Sequence, residues 1–372
     1  MKMDRRTFCG GAAAFAALST TGCRTAAPAP DGRALEATKK WFKEAQYGMM
    51  AHWGLYSLLG GEWKGQRMAQ RFIGEWIQQY YRIPNAEYAR LASAFNPILF
   101  NADEWVQLAR DAGMKYLVFT SKHHDGFAMY RSKVSKFNVV DATPFRRDVV
   151  EELAEACRKH GLKLGLYYSQ DLDWHEPDGG GYTKGKTWSW GSAYWTNNWD
   201  FPDASKKNFT RYFEGKAKPQ VQEILTQYGD LCLIWFDIGF TLTKEQSNEL
   251  YEMVRRIQPG CLINSRIGCG KCDYTSAGDN QIPNDDKGDM LFETPATLND
   301  TWGYKAFDSN WKSAARIREI REHLKARGAN YLLNVGPDGL GRIPAPSVDI
   351  LREAAPGRMV AVSPISAGST VS

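Results

Sequence analysis

The chain has 372 residues, 43% hydrophobic and 13% aromatic, enough to bury a large core in one big domain or two ordinary ones. Its formal charge of +5, with no Lys/Arg block, is too mild to argue for nucleic-acid binding. Thirteen Trp and seventeen Tyr suit a carbohydrate site or simply a large aromatic core.

Residues 1–22 read as an export signal. "MKMDRRTFCGG" is a charged start, and "GGAAAFAAL" is an apolar run too short to span a membrane. Arg5-Arg6 followed by Thr7-Phe8 resembles a twin-arginine signal. "LSTTGC" places Cys23 at a lipoprotein-like cleavage site, although Thr20 stands where a Leu is expected. The expected location is the periplasm or cell surface, with membrane attachment through a lipidated Cys23 and plain export both open. Residues 23–36, Pro- and Ala-rich, read as a tether.

From Trp41 onward, apolar runs alternate with amphipathic ones. "YGMMAHWG" predicts a strand ending at His52. "NADEWVQLARDAGMK" predicts a helix with Asn101 as N-cap and Gly113 as stop. "YLVFTSKHHDGF" is a strand turning polar at its end, "DVVEELAEACRKHG" a helix closed by Gly161, and "LKLGLYYSQDLDW" the next strand. "DWHEPDGGGYTKGKTWSWGSAYWTNNWDFPD" lacks periodicity but holds five Trp, and predicts a long loop shaping a site. "KPQVQEILTQYG" predicts a helix, "DLCLIWFDIGF" a strand, "TKEQSNELYEMVRRIQPG" a helix and "CLINSRIG" a strand. The stretch 273–304 reads as a long connection, "SAARIREIREHLKARG" as a helix and "NYLLNVGPDG" as a strand. Such alternation implies a parallel sheet covered on both faces, and the element count favours a (β/α)8-type, TIM-like barrel. No G-x-G-x-x-G follows a strand, which argues against dinucleotide binding.

Polar residues cluster where apolar runs end: His52, His123, His124, Tyr168, Asp237, Arg266 and Asn334. In a barrel these positions converge on one mouth. Asp237 ends six apolar residues, so it must pair, take a proton or react, and Arg266 from the next strand can hold it ionised. A metal site on the histidines is disfavoured, because strand neighbours such as His123 and His124 should point apart. No G-x-S-x-G elbow offers a serine nucleophile. Cys157 and Cys232 read as core thiols, and Cys269 and Cys272, spaced C-x-x-C, as a local disulfide or two unpaired thiols. Paired carboxylates fit best: Asp237 with Asp279 or Glu293 from the long connection, the arrangement that glycosidic cleavage requires.

The motifs "AHWGLYS", "GEW", "FNPILFNADEWVQLARDAGMKYLVFTSKHHDGFAMY", "YYS", "IWFDIG", "NSRIG" and "LLNVGPDGLGRIP" together resemble glycoside hydrolase family 29, the retaining α-L-fucosidases, over roughly residues 37–354. The resemblance implies an exo-acting double displacement on terminal fucose of an oligosaccharide or glycoconjugate, with Asp237 as nucleophile and no cofactor or metal. It implies sugar contacts at His52, Glu62, Trp63, His123 and His124, with Tyr168 and Arg266 beside the nucleophile and Trp235 and Trp302 as apolar walls. Each has an ordinary structural alternative, core packing for the rings and a surface position for Glu62. The acid/base shifts within the family: the "FETP" match points to Glu293, with Asp279 in "AGDNQIP" as the alternative, and Glu293 would suit α-1,3 or α-1,4 linkages. A galactose-configured substrate, or an inactive fucose-binding lipoprotein, are the rival readings. The family usually continues past "PSVDILREA" into a further helix and often a β-sandwich; here residues 355–372 diverge, so the barrel can be incomplete at its C-terminal end and the tail is expected to be poorly ordered.

Overall fold

The protein is described by a computed structural model covering residues 32–181 and 195–357. The export signal, residues 23–31 of the tether, the middle of the Trp-rich loop and the tail from 358 lie outside the described residues. The principal elements run α1 (Gly32–Ala45), β1 (Tyr47–Ala51), α2 (Ala102–Asp111), β2 (Tyr116–Lys122), α3 (Val149–His160), β3 (Lys163–Tyr168), α4 (Lys218–Gln227) and β4 (Leu233–Phe236). They continue α5 (Lys244–Ile257), β5 (Leu262–Ile263), β6 (Thr275–Ser276), β7 (Phe292–Thr297), α6 (Ala314–Lys325), β8 (Ala329–Val335) and α7 (Ala345–Glu353).

The helices start where local chemistry dictates. The Asn101 side chain accepts from the Glu104 amide, Asp148 from Glu151, and Thr243 forms a reciprocal capping box with Gln246. Each such cap is worth about 1 kcal/mol. Gly161 closes α3 at φ 73°, a conformation that disfavours any residue with a Cβ. Along α3, Val149, Val150, Leu153, Ala154 and Cys157 form the buried stripe laid on the sheet.

All eight strands are parallel, each paired with its neighbours in chain order, and β8 pairs back onto β1. The ring closes between β5 and β6 through a single bridge, Asn264 to Tyr274. The fold is therefore the expected (β/α)8 barrel with one thin seam. Strand residues alternate strictly between two cores. Met50, Tyr116, Val118, Tyr167, Leu233, Trp235, Leu262 and Leu332 fill the interior, whereas Met49, Leu117, Phe119, Leu166, Tyr168, Ile234 and Leu333 meet the helices. Gly48 makes room inside: a Cβ there would lie 2.5 Å from the Tyr116 ring.

Two expectations need correction. The connection 273–304 contains β6 and β7. Neither has an apolar run: β6 is two residues long, and β7, "FETPAT", carries Glu293 and Pro295. Proline is tolerated there because β6 ends opposite Glu293, before Pro295 needs a donor on that side. The tether is also shorter than expected, since residues 32–36 already belong to α1. That helix closes the barrel floor, with Phe42 against Tyr274 (centroids 4.9 Å apart) and Tyr116 (5.9 Å).

Candidate active site

Asp237 is the first residue past β4, and its side chain is 13% exposed at the barrel mouth. Arg266 Nη1 donates to Oδ1 at 3.1 Å and Tyr167 Oη donates to Oδ2 at 2.9 Å. Its own amide donates to Gln170 Oε1 at 3.0 Å, and the next residue, Ile238, holds φ at 53°. A half-buried carboxylate thus has a cation and a hydroxyl on its two oxygens, which meets the cost of placing an anion at the end of an apolar strand.

Arg266 serves a second carboxylate: Nη2 donates to Asp279 Oδ1 at 2.6 Å and to the Ala277 carbonyl at 2.7 Å. Its guanidinium lies 4.7 Å over the Trp235 ring. One rigid fork therefore holds Asp237 and Asp279 side by side at the mouth. Glu293 is elsewhere. It is fully buried in the barrel interior, where Oε1 accepts from Trp235 Nε1 and Oε2 from Tyr116 Oη, both at 2.8 Å. Burial pushes its carboxyl up to about 7.

The three histidines line the same mouth. His52 Nδ1 is 2.7 Å from Asn334 Oδ1, and its ring meets Trp302 (5.2 Å), Tyr167 (5.5 Å) and His123 (5.5 Å). His123 stacks on Tyr167, the two planes 10° apart. His124 Nδ1 is 2.7 Å from Ser169 Oγ, and Nε2 is 3.6 Å from Asp237 Oδ2. The expectation that His123 and His124 point apart does not hold: their centroids are 4.1 Å apart, because β2 is irregular between Thr120 and Lys122 and ends before both. Even so, no cluster of three or more His, Cys, Asp or Glu fit to hold a metal occurs among the described residues. Burial lowers the pKa of each imidazole, that of His52 to about 4.

Three sequence candidates fall outside this constellation. Tyr168 faces the helices and donates to Gln220 Oε1 at 2.9 Å; strand parity gives its place to Tyr167. Glu62 and Trp63 lie on a surface hairpin, where Glu62 pairs with the exposed Arg67. The same tripeptide, G-E-W, recurs at residues 74–76. There, Trp76 packs edge-on against His124 at 5.2 Å, and buried Glu75 accepts from the Gly303 amide at 2.8 Å. Burial, with a smaller contribution from the Asp279 charge, raises Glu75 to about 8. The repeated motif was a signal for this pair, as the in–out alternation of β3 was for Tyr167. Cys269 and Cys272 are exposed free thiols, and Cys261, which the motif reading passed over, is a buried one.

Likeness to known proteins identifies the family. The family profile described as Alpha-L-fucosidase matches residues 19–356. The α-L-fucosidase of Branchiostoma floridae is 36% identical over 335 residues, covering 85% of this chain and 70% of its own length. The tissue α-L-fucosidase of Mus musculus is 31% identical over 342 residues, covering 84% and 68%. The chain thus spans about two thirds of the length of such relatives. Among solved structures, unliganded α-L-fucosidase AlfC from Lactobacillus casei superposes with a TM-score of 0.81 at 53% identity, covering 86% of this chain and 97% of AlfC. With a mouth that gathers two carboxylates, three histidines and an arginine on a parallel barrel, and with this degree of likeness, the chain belongs to the α-L-fucosidases, glycoside hydrolase family 29.

Proposed function

We propose that the chain is a retaining exo-α-L-fucosidase in which Asp237 is the nucleophile and Asp279 the acid/base. The observation that carries this reading is the Arg266 fork, which joins both carboxylates at the mouth. A guanidinium that bonds two carboxyl groups brings them into one neighbourhood, the first requirement of a retaining pair, whose carboxyl groups stand about 5–5.5 Å apart. Asp237 attacks the anomeric carbon as the glycosidic C–O bond breaks, and Asp279 gives its proton to the departing oxygen. Asp279 then takes a proton from water, whose oxygen displaces Asp237 and frees fucose with its configuration retained. His52, His123, His124 and Trp76 surround the sugar, and Trp302 offers an apolar wall.

Glu293 is the second reading for the acid, because burial lets it keep a proton up to about pH 7. It lies behind the Trp235 indole with no exposed surface, so a leaving oxygen has no path to it. Azide separates the two. Asp279→Ala should lose about 10²–10⁴-fold in turnover of a substrate with a poor leaving group and regain much of it with azide on an activated aryl fucoside. Rescue of Glu293→Ala instead would transfer the role.

AlfC has been solved in complex with Fucα(1,6)GlcNAc. Its 53% identity supports fucose α-1,6-linked to N-acetylglucosamine as the substrate here, rather than the α-1,3 or α-1,4 linkage implied by placing the acid at Glu293. A panel of linkage-defined disaccharides tests it: release from the 1,3 and 1,4 isomers alone would exclude the 1,6 assignment. The Arg5-Arg6 and Cys23 pattern supports export with lipid attachment, which mass measurement of the mature N-terminus would decide.

A further inference from the structure

A neutral imidazole has one N–H and one bare lone pair, and the side that carries the proton decides what the ring can recognise. Two of the three mouth histidines have Nδ1 partners that settle this by elimination. Ser169 Oγ is 2.7 Å from His124 Nδ1 and 2.8 Å from the Leu172 carbonyl oxygen. The hydroxyl has one proton and a carbonyl can only accept, so Ser169 donates to Leu172 and accepts from His124 Nδ1–H. The Asn334 amide nitrogen donates to the Trp302 carbonyl at 2.8 Å, which orients the amide and presents Oδ1 to His52 Nδ1 at 2.7 Å. That oxygen also can only accept, so His52 Nδ1 holds the proton. Among the described residues His123 Nδ1 meets no hydrogen-bond partner, so the network does not fix this ring.

Both fixed rings favour the neutral form. Burial lowers their pKa, and for His124 the neighbouring Lys122 ammonium adds to the effect. At 3.6 Å, His124 Nε2 and Asp237 Oδ2 are too far apart for a direct hydrogen bond, and with a neutral ring they stand side by side as two acceptors. A hydroxyl placed near both can donate to either.

We propose that His52 and His124 act toward the ligand only as hydrogen-bond acceptors through Nε2, so that the site selects its sugar by the protons of two ring hydroxyls rather than by their oxygens. The identity of the sugar rests on the fucosidase reading; the proton assignment stands without it. A fluorine substituent can accept weakly but cannot donate, so at these two hydroxyls fluorination should be as damaging as removal.

Nitrogen-15 NMR of the full chain reads the tautomers directly. The chain has six histidines, and single His→Asn variants assign the signals. Nδ1–H tautomers at both His52 and His124 between pH 6 and 8 are the expected result, and an Nε2–H tautomer at either overturns the proposal. Ser169→Ala removes the acceptor of one ring alone; His124 should then shift toward the Nε2–H form with His52 unchanged, and an unmoved His124 signal counts against the assignment. In calorimetry with monodeoxy and monodeoxyfluoro L-fucoses, two positions should lose about tenfold or more in affinity on fluorination, matching the deoxy loss. Fluorinated sugars that all bind within about twofold of fucose would overturn acceptor recognition. If none of the sugars binds while the tautomers are as expected, the fucosidase reading fails and the proton assignment survives.

Discussion

The barrel is built in two styles, and each carries half of the chemistry. Strands β1 to β4 are four to seven residues long, with a well-formed helix leading into each of the later three; His52 and Tyr167 come from ends paired on both sides, and Asp237 from an end paired to β3 on one side and bonded by the Asn264 side chain on the other. Strands β5 and β6 are two residues each, and no α-helix follows either. Arg266 and Asp279 come from that irregular chain, and they are fixed by side-chain bonds together with isolated backbone bonds rather than by a continuous ladder. The nucleophile therefore sits at the end of a strand, while the proposed proton donor sits on a loop pinned to β7 on either side of it, by Ala277 N to Glu293 O and Asn280 N to Pro295 O, and gripped by Arg266. A barrel can thus place one carboxylate by its ladder and the other by bonds from a loop to that ladder.

The contrast can be broken at either style. Asp237→Ala should have the largest effect, a loss of about 10⁴-fold or more in turnover of an aryl α-L-fucoside with fucose still bound. Steady-state rates and calorimetry check it, and retained turnover would exclude the nucleophile. Next comes the parity of β3. Tyr167→Phe removes a donor from Asp237 and should lower kcat/KM by about tenfold or more, with the melting temperature nearly unchanged. Tyr168→Phe should do the reverse, costing about 1–2 kcal/mol of stability through the lost Gln220 bond and leaving kcat/KM intact.

Protons provide a smaller effect. Glu293 and Glu75 have pKa values raised from 4.5 to about 7 and about 8. Folding keeps protons that the unfolded chain releases, so their contribution is complete below pH 4.5 and is lost as pH rises through those values. The melting temperature should fall between about pH 5 and 8, and Glu293→Gln should flatten that slope below pH 7 by at most about 1.4 kcal/mol per pH unit. An unchanged slope would place the titration elsewhere. The smallest effect is at Ile238, a β-branched residue at φ 53°. Ile238→Gly relieves the strain and should add about 1 kcal/mol in denaturant melts, offset in part by the lost side chain.

Much of this was legible in the residues. Caps at Asn101 and Gly161, the four long strands and the polar residues at their ends follow from local rules, because periodicity and capping act within a few residues. Asp237 and Arg266 were placed correctly as partners since both follow apolar runs. The errors share a cause. The Tyr-Tyr pair at the end of β3 points to Tyr168, whereas Tyr167 faces the mouth, because facing depends on the register of the whole strand, which a dipeptide does not reveal. The G-E-W match is read at Glu62 alone, while the motif occurs twice and only tertiary contacts distinguish the copies. Strands β6 and β7 were missed because a two-residue strand, and one carrying glutamate and proline, exist only through their neighbours.

Helix α1 lies under the floor near the seam where β5 meets β6. Phe42 rests on Tyr274 from one side of that seam, and the Phe42 carbonyl accepts from Asn330 in β8. Thr38 Oγ1 stands 3.2 Å from where a Cβ on Gly260 would project, so the helix also abuts the chain entering β5. The first segment of the fold to leave the ribosome is thus a keystone that waits for much of the remaining chain before it can lock. Trimming the protein to begin at residue 44 would remove that keystone, Thr38 and Phe42 included, and the thin joint of the ring would lose its support from below.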